Sequence, residues 1–184
     1  MMKRTTKALG FWACFFLTSA FAAPHHLRDA LQCTATTTDG PVFVDATCID
    51  PLYDDVGVVS EDDTYTASVS VRVIACRFPK ASLDFTVYLP QPSGFESRFI
   101  QFVYPSESAT PRPDVLGSVI EYGAYVVQVQ GTIGYRHEAA AAKFARDLAA
   151  DFYSRDRSSF YGYIHGGSGG SYQTVGAMEN TQGV

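Results

Sequence analysis

Four glycines surround one serine in Gly166-Gly167-Ser168-Gly169-Gly170, which follows Phe160-Tyr161-Gly162-Tyr163-Ile164 after the single residue His165. The run fits G-x-S-x-G, in which a strand turns sharply into a helix and holds a serine hydroxyl out at the tip. Such a turn strains the serine's backbone and crowds its neighbours between strand and helix, so the flanking positions must be nearly free of side chain. Ser168 is therefore the candidate nucleophile. A free hydroxyl attacks poorly; it needs a base within hydrogen-bond reach and an acid to orient that base. A phosphate cradle at a helix N-terminus is the rival use of such glycines. The details oppose it. No lysine follows Lys143 to complete a Walker A ending, and the third glycine of a dinucleotide fingerprint, counted from Gly167 and Gly169, falls on Tyr172.

Hydrophobic periodicity supplies the frame around this turn. Residues 24 to about 63 carry many Thr and Asp, no long apolar run and little periodicity, which predicts an irregular lead-in. Tyr65 to Cys76 alternates apolar and polar residues, as a half-buried strand does, and Leu83 to Leu89 follows as its antiparallel hairpin partner. Arg98 to Tyr104 is a third strand. Gly123 to Val129 is a fourth, mostly apolar as in a strand buried on both faces. Asp114 to Tyr122 has room for two helical turns between them. Arg136 to Tyr153 is an Ala-rich helix without internal Gly or Pro, with Ala141, Phe144, Ala145, Leu148 and Phe152 on one stripe and Lys143 paired with Asp147 on the other face. Tyr161 to Ile164 is a fifth strand, and a helix opens at Tyr172. Strands that alternate with helices imply a parallel sheet reached by crossovers.

The order of these elements and the placement of Gly166 to Gly170 resemble the α/β-hydrolase fold, over about residues 64–184 and so over its N-terminal part alone. The stretch from Tyr161 to Tyr172 is similar to the elbow of secreted serine esterases, distantly tannases and feruloyl esterases. Where their elbow carries a cysteine before the serine, this chain has Gly167. The resemblance implies an incomplete α/β-hydrolase sheet, an N-terminal antiparallel hairpin followed by parallel strands with crossover helices. It implies hydrolysis of a small-molecule carboxylic ester through an acyl-Ser168 intermediate. The oxyanion would be held by the amide of Gly169 and by an amide from the loop after the third strand, where Pro105 has none and Tyr104 or Ser106 remains. His165 and Tyr172 are expected to line the substrate site, with Tyr104, Tyr135, Tyr161 and Tyr163 as further aromatic candidates. His25 and His26 in the lead-in and His137 at the start of the long helix are expected to be solvated. The family order of Ser, then Asp or Glu, then His places the acid and base beyond Val184, so the chain alone is expected not to turn over substrate. A serine peptidase of the same fold and a secreted noncatalytic binding protein derived from a hydrolase are the alternatives.

Composition limits compartment and partners. Lys3, Arg4 and Lys7 precede an apolar run from Leu9 to Phe21, and small residues at Ala20, Ala22 and Ala23 offer a cleavage site, the pattern of a secretory signal peptide over residues 1–23. The run is too short to span a bilayer comfortably. Its removal leaves about 160 residues, enough for one domain with a core. It also removes three positive and no negative charges, taking the net charge from −5 to −8. An acidic, secreted chain without a basic cluster is expected to bind neither nucleic acid nor an anionic membrane. Cys14 leaves with the signal. Cys33 and Cys48 are the expected disulfide pair, which makes Cys76 the odd thiol. No Cys/His cluster has zinc spacing, so neither a metal nor another cofactor is expected.

Overall fold

The computed structural model describes residues 52–53, 55–66, 69–111 and 113–180. The expected signal peptide, the Cys33–Cys48 pair, His25 and His26 lie outside them. The described chain forms one mixed six-stranded sheet in the order β1-β2-β3-β5-β4-β6. Its strands are β1 (Gly57–Thr66), β2 (Val69–Phe78), β3 (Leu83–Pro90), β4 (Arg98–Phe102), β5 (Ala124–Val129) and β6 (Tyr161–His165). Three helices join them: α1 (Pro113–Glu121) between β4 and β5, α2 (Arg136–Tyr153) between β5 and β6, and α3 (Gly169–Asn180) after β6. The architecture is α/β. Strands β1, β2, β3 and β5 pair antiparallel, whereas β4 pairs parallel with both β5 and β6.

The first hairpin departs from the sequence expectation, and α3 opens at Gly169, three residues before the expected Tyr172. Strand β1 occupies the end of the stretch expected to be irregular, and the alternation from Tyr65 to Cys76 belongs to two strands. Thr66 pairs with Val69 and Tyr65 with Ser70, so the chain reverses within the predicted strand. A period-2 pattern is blind to a tight reversal, because alternation continues on the returning strand. The acidic run Glu61-Asp62-Asp63 hid β1, since such residues are depleted in strands. On this edge they are exposed, and Arg72 of β2 gathers Asp63 at 2.6 Å together with Glu61. Charges on an edge strand also discourage pairing with other chains.

The sheet is covered on both faces. On one side Phe85, Val87 and Leu89 of β3 and Tyr125, Val127 and Val129 of β5 pack with Phe144, Ala145 and Leu148 of α2. On the other, Tyr88, Ala124 and Val126 pack with Leu116, Val119 and Ile120 of α1. Every residue of β5 is buried, as its continuous apolar run predicts. The burial of α2 reaches well beyond its apolar stripe. Lys143 and Asp147, expected on an outer face, are each 8% exposed, and Arg157 pairs with Asp147 at 2.6 Å. His137, expected to be solvated, is 1% exposed beside Glu138, whose carboxylate accepts a 2.6 Å bond from Gln101 on β4. The first turn of α2 lies against the sheet, and Tyr53 sits across from His137, so helix position alone does not expose this histidine. At its other end the Tyr153 hydroxyl donates to Pro90 O at 2.8 Å and pins α2 to β3.

Strand order reverses at β4. The chain passes from β4 through α1 to β5 on one side, then through α2 back over β4 to β6 on the other. In open α/β sheets the crevice at the carboxyl ends of strands beside such a switch point is where ligands bind. Here that crevice lies between the ends of β4 and β6. Among the described residues no helix is long and apolar enough to cross a membrane, and no group of three or more His, Cys, Asp or Glu is placed to hold a metal.

Candidate active site

Strand β6 ends at His165 and α3 begins at Gly169, so Gly166, Gly167 and Ser168 make the whole turn between them. Ser168 sits at its tip with φ of 51°. This is the left-handed region, which costs an L-residue roughly 1–2 kcal/mol. Three other serines have positive φ. One of them, Ser154, ends α2 in a left-handed cap, a common helix terminus. At Ser168 the same strain lies between a strand and a helix, on an exposed serine. Strained backbone held in place by surrounding structure is typical of functional positions.

The glycines answer to close approach. A Cβ on Gly170 would lie 2.1 Å from Val103 O, and one on Gly166 would lie 2.5 Å from Gly170 O and 2.7 Å from Val103 O. A Cβ on Gly169 would meet the Pro105 ring at 2.9 Å. The elbow is thus pressed onto the chain leaving β4, which the Val103 amide reinforces by donating to His165 O at 2.9 Å. By contrast, a Cβ on Gly167 would meet nothing within 4 Å. Gly167 stands free.

The opposing wall is a β-turn, Tyr104-Pro105-Ser106-Glu107, closed by the Glu107 amide donating to Tyr104 O at 3.1 Å. Proline suits its second position because its fixed φ matches the turn. Gly131, after β5, clamps the turn from behind. Its amide donates to Glu107 O at 2.9 Å, and a Cβ there would lie 2.2 Å from Tyr104 O. The Tyr104 and Ser106 amides donate to no backbone acceptor among the described residues. Gly169 opens α3, and the first amides of a helix have no intrahelical acceptor. The candidate oxyanion amides thus belong to two segments that touch where Gly169 meets Pro105.

Between these walls lies a cleft of about 360 Å³. Ser168, Gly166, Gly167 and His165 line it from the elbow side, and Phe102, Val103, Tyr104 and Glu107 from the β4 side. The His165 ring stands edge to face with Phe102, centroids 6.0 Å apart. Of the expected site residues, the fold brings Ser168, His165 and Tyr104 together on this cleft. Gly169 borders it at Pro105, while Ser106 belongs to the turn and is not among the lining residues. Tyr172, on α3, is 68% exposed and does not line it either. Tyr161 and Tyr163 are likewise exposed on β6, and the Tyr135 ring is taken up by packing against Gly176. Glu107 is the one lining residue with a carboxylate, and nothing in the sequence marks it beyond its place at the end of a Pro-Ser turn.

No family model matches the chain, and no curated protein matches it. Among solved structures, the tannin acyl hydrolase from Aspergillus niger is similar at a TM-score of 0.39 and 14% identity, over 80% of this chain and 32% of that one. The chain thus spans about a third of that protein's length.

Proposed function

We propose that this chain carries the nucleophile and the oxyanion amides of a secreted serine hydrolase acting on small-molecule carboxylic esters. The observation that carries the reading is Ser168 itself, a serine at φ 51° on the tip of a strand-to-helix turn, facing a cleft at the switch point of the sheet. The Ser168 hydroxyl attacks the ester carbonyl, its proton passes to a base, and the carbonyl oxygen becomes an oxyanion. The amide of Gly169 and that of Tyr104 or Ser106 stabilise this charge; donors of this kind contribute about 3–4 kcal/mol each to such transition states. Collapse expels the alcohol and leaves acyl-Ser168, which water then hydrolyses. The orienting acid and the base come from outside the described residues, and His165 lines the site beside the acyl group.

Incubating the native protein with a fluorophosphonate and locating the adduct by peptide mass analysis tests this assignment. The adduct is expected on Ser168, and Ser168→Ala is expected to abolish both labelling and hydrolysis of a nitrophenyl ester. Ester hydrolysis that survives Ser168→Ala, or a folded protein whose Ser168 stays unmodified, would overturn it.

A further inference from the structure

Glu107 is the one unabsorbed chemical group on the cleft. No Lys or Arg lines the space, so the carboxylate sets its charge. No ion pair or side-chain hydrogen bond engages this carboxylate among the described residues. Its backbone, in contrast, is tied at both ends. The amide is committed to Tyr104 O and the carbonyl to Gly131 N, while Gly131 presses on the turn from behind and Gly169 meets it in front. A carboxylate with a fixed root and a free head, on the wall opposite Ser168, acts on whatever enters between them.

We propose that Glu107 is a specificity-determining residue that selects ester substrates by charge, favouring those that carry an ammonium group near the scissile bond over neutral ones and rejecting those that carry a carboxylate. The inference rests on Ser168 being the nucleophile. The physics is direct. Glu107 and Ser168 are both exposed and the cleft opens to solvent, so the field acts through a dielectric near that of water, and one unit charge several ångströms away alters the binding of a charged group by roughly two- to threefold at low ionic strength. A cation gains that factor and an anion loses it. Because the same field acts on ground state and transition state of the bound group, the effect falls on capture of the substrate and weakens as salt is raised.

Three fluorophosphonates of matched size, bearing a trimethylammonium, a tert-butyl or a carboxylate group, read this out on the native protein. The second-order rate of Ser168 modification is followed by peptide mass analysis, and each charged probe is expressed as a ratio to the neutral one. The expected order is ammonium, then neutral, then carboxylate. At low ionic strength Glu107→Gln is expected to shrink the ammonium-to-neutral ratio roughly twofold, and Glu107→Asp to keep most of it. Ratios that are the same in wild type and Glu107→Gln, with Ser168 labelled in both, overturn the role of Glu107 and leave the nucleophile standing. Failure of all three probes to modify Ser168 in the folded wild type overturns the nucleophile and the inference with it.

Discussion

Replacing Gly170 with alanine sets two well-measured effects against each other. Gly170 is the second residue of α3, and in a helix alanine is better than glycine by about 1 kcal/mol. Helix propensity therefore predicts a more stable protein. Packing predicts the reverse. The new Cβ would lie 2.1 Å from Val103 O and 3.0 Å from Val103 C, both backbone atoms at the end of β4. A backbone carbonyl has no rotamer to escape into, so elbow and strand end must separate by more than an ångström. Overpacking of this kind costs about 3 kcal/mol at the upper end of its usual range. The net loss is then about 2 kcal/mol, or a fall in Tm of roughly 4–8 °C for a domain of this size. Gly167→Ala is the internal control. Its Cβ would meet nothing within 4 Å, so its effect should stay within about 0.5 kcal/mol. Thermal and urea unfolding of wild type and both variants measure the difference. A Gly170→Ala protein as stable as wild type, or more stable, would refute the close approach of elbow and β4 on which the site depends.

Ser168→Gly removes a left-handed strain of roughly 1–2 kcal/mol while adding chain entropy of about 0.5–1 kcal/mol to the unfolded state. Urea unfolding should therefore show a small gain in stability together with loss of all fluorophosphonate labelling; a clear loss of stability would contradict the strained turn. Cys76 is 1% exposed, and burial pushes its thiol up to about 12. Iodoacetamide at pH 8 should leave it unmodified in the folded protein and alkylate it in denaturant, and rapid native alkylation would place it outside the core. Hydrogen bonds from Arg72 and Arg77 hold the carboxyls of Asp63 and Asp84 below their usual range. Their stabilising effect is present above the unfolded carboxylate pKa and is lost as pH falls through the lowered folded values. Asp63→Asn with Asp84→Asn should therefore flatten the acid limb of a stability-versus-pH curve below about pH 4 and leave the limb above pH 8 in place. An unchanged acid limb would show that these surface pairs contribute nothing measurable.

What was legible in the sequence was local. The helix α2 begins and ends at Arg136 and Tyr153, where the Ala-rich periodic run places it, and β5 reads directly from Ala124-Tyr125-Val126-Val127-Gln128-Val129 because both its faces are apolar. The turn at Gly166 to Gly170 was legible for the same reason, since backbone strain and crowding fall on five consecutive residues. Strand β1 was not, because its pairing with β2 and the reach of Arg72 across the hairpin are not visible in Glu61-Asp62-Asp63 alone. The burial of His137 escaped for a similar reason. It goes with Tyr53, which faces the His137 ring, and with Gln101, which holds the neighbouring Glu138; both lie more than thirty residues away in the chain.

The cleft shows the same division within one site. Its elbow wall is a single segment whose glycines announce the crowding they relieve. Its other wall exists only because Gly131, 24 residues beyond Glu107, comes up behind the Tyr104–Glu107 turn, and because Gly169 and Gly170 press on it from the front. Each of these glycines is missing a side chain on account of a partner in another segment. Their positions in the sequence mark where two pieces of backbone must touch, but not which pieces. Once the strand order places β6 beside β4, the pairing is settled. The Val103–Glu107 segment then has to pass over the start of α3, and Tyr104, Glu107 and Ser168 share one space without any of them being adjacent in the chain.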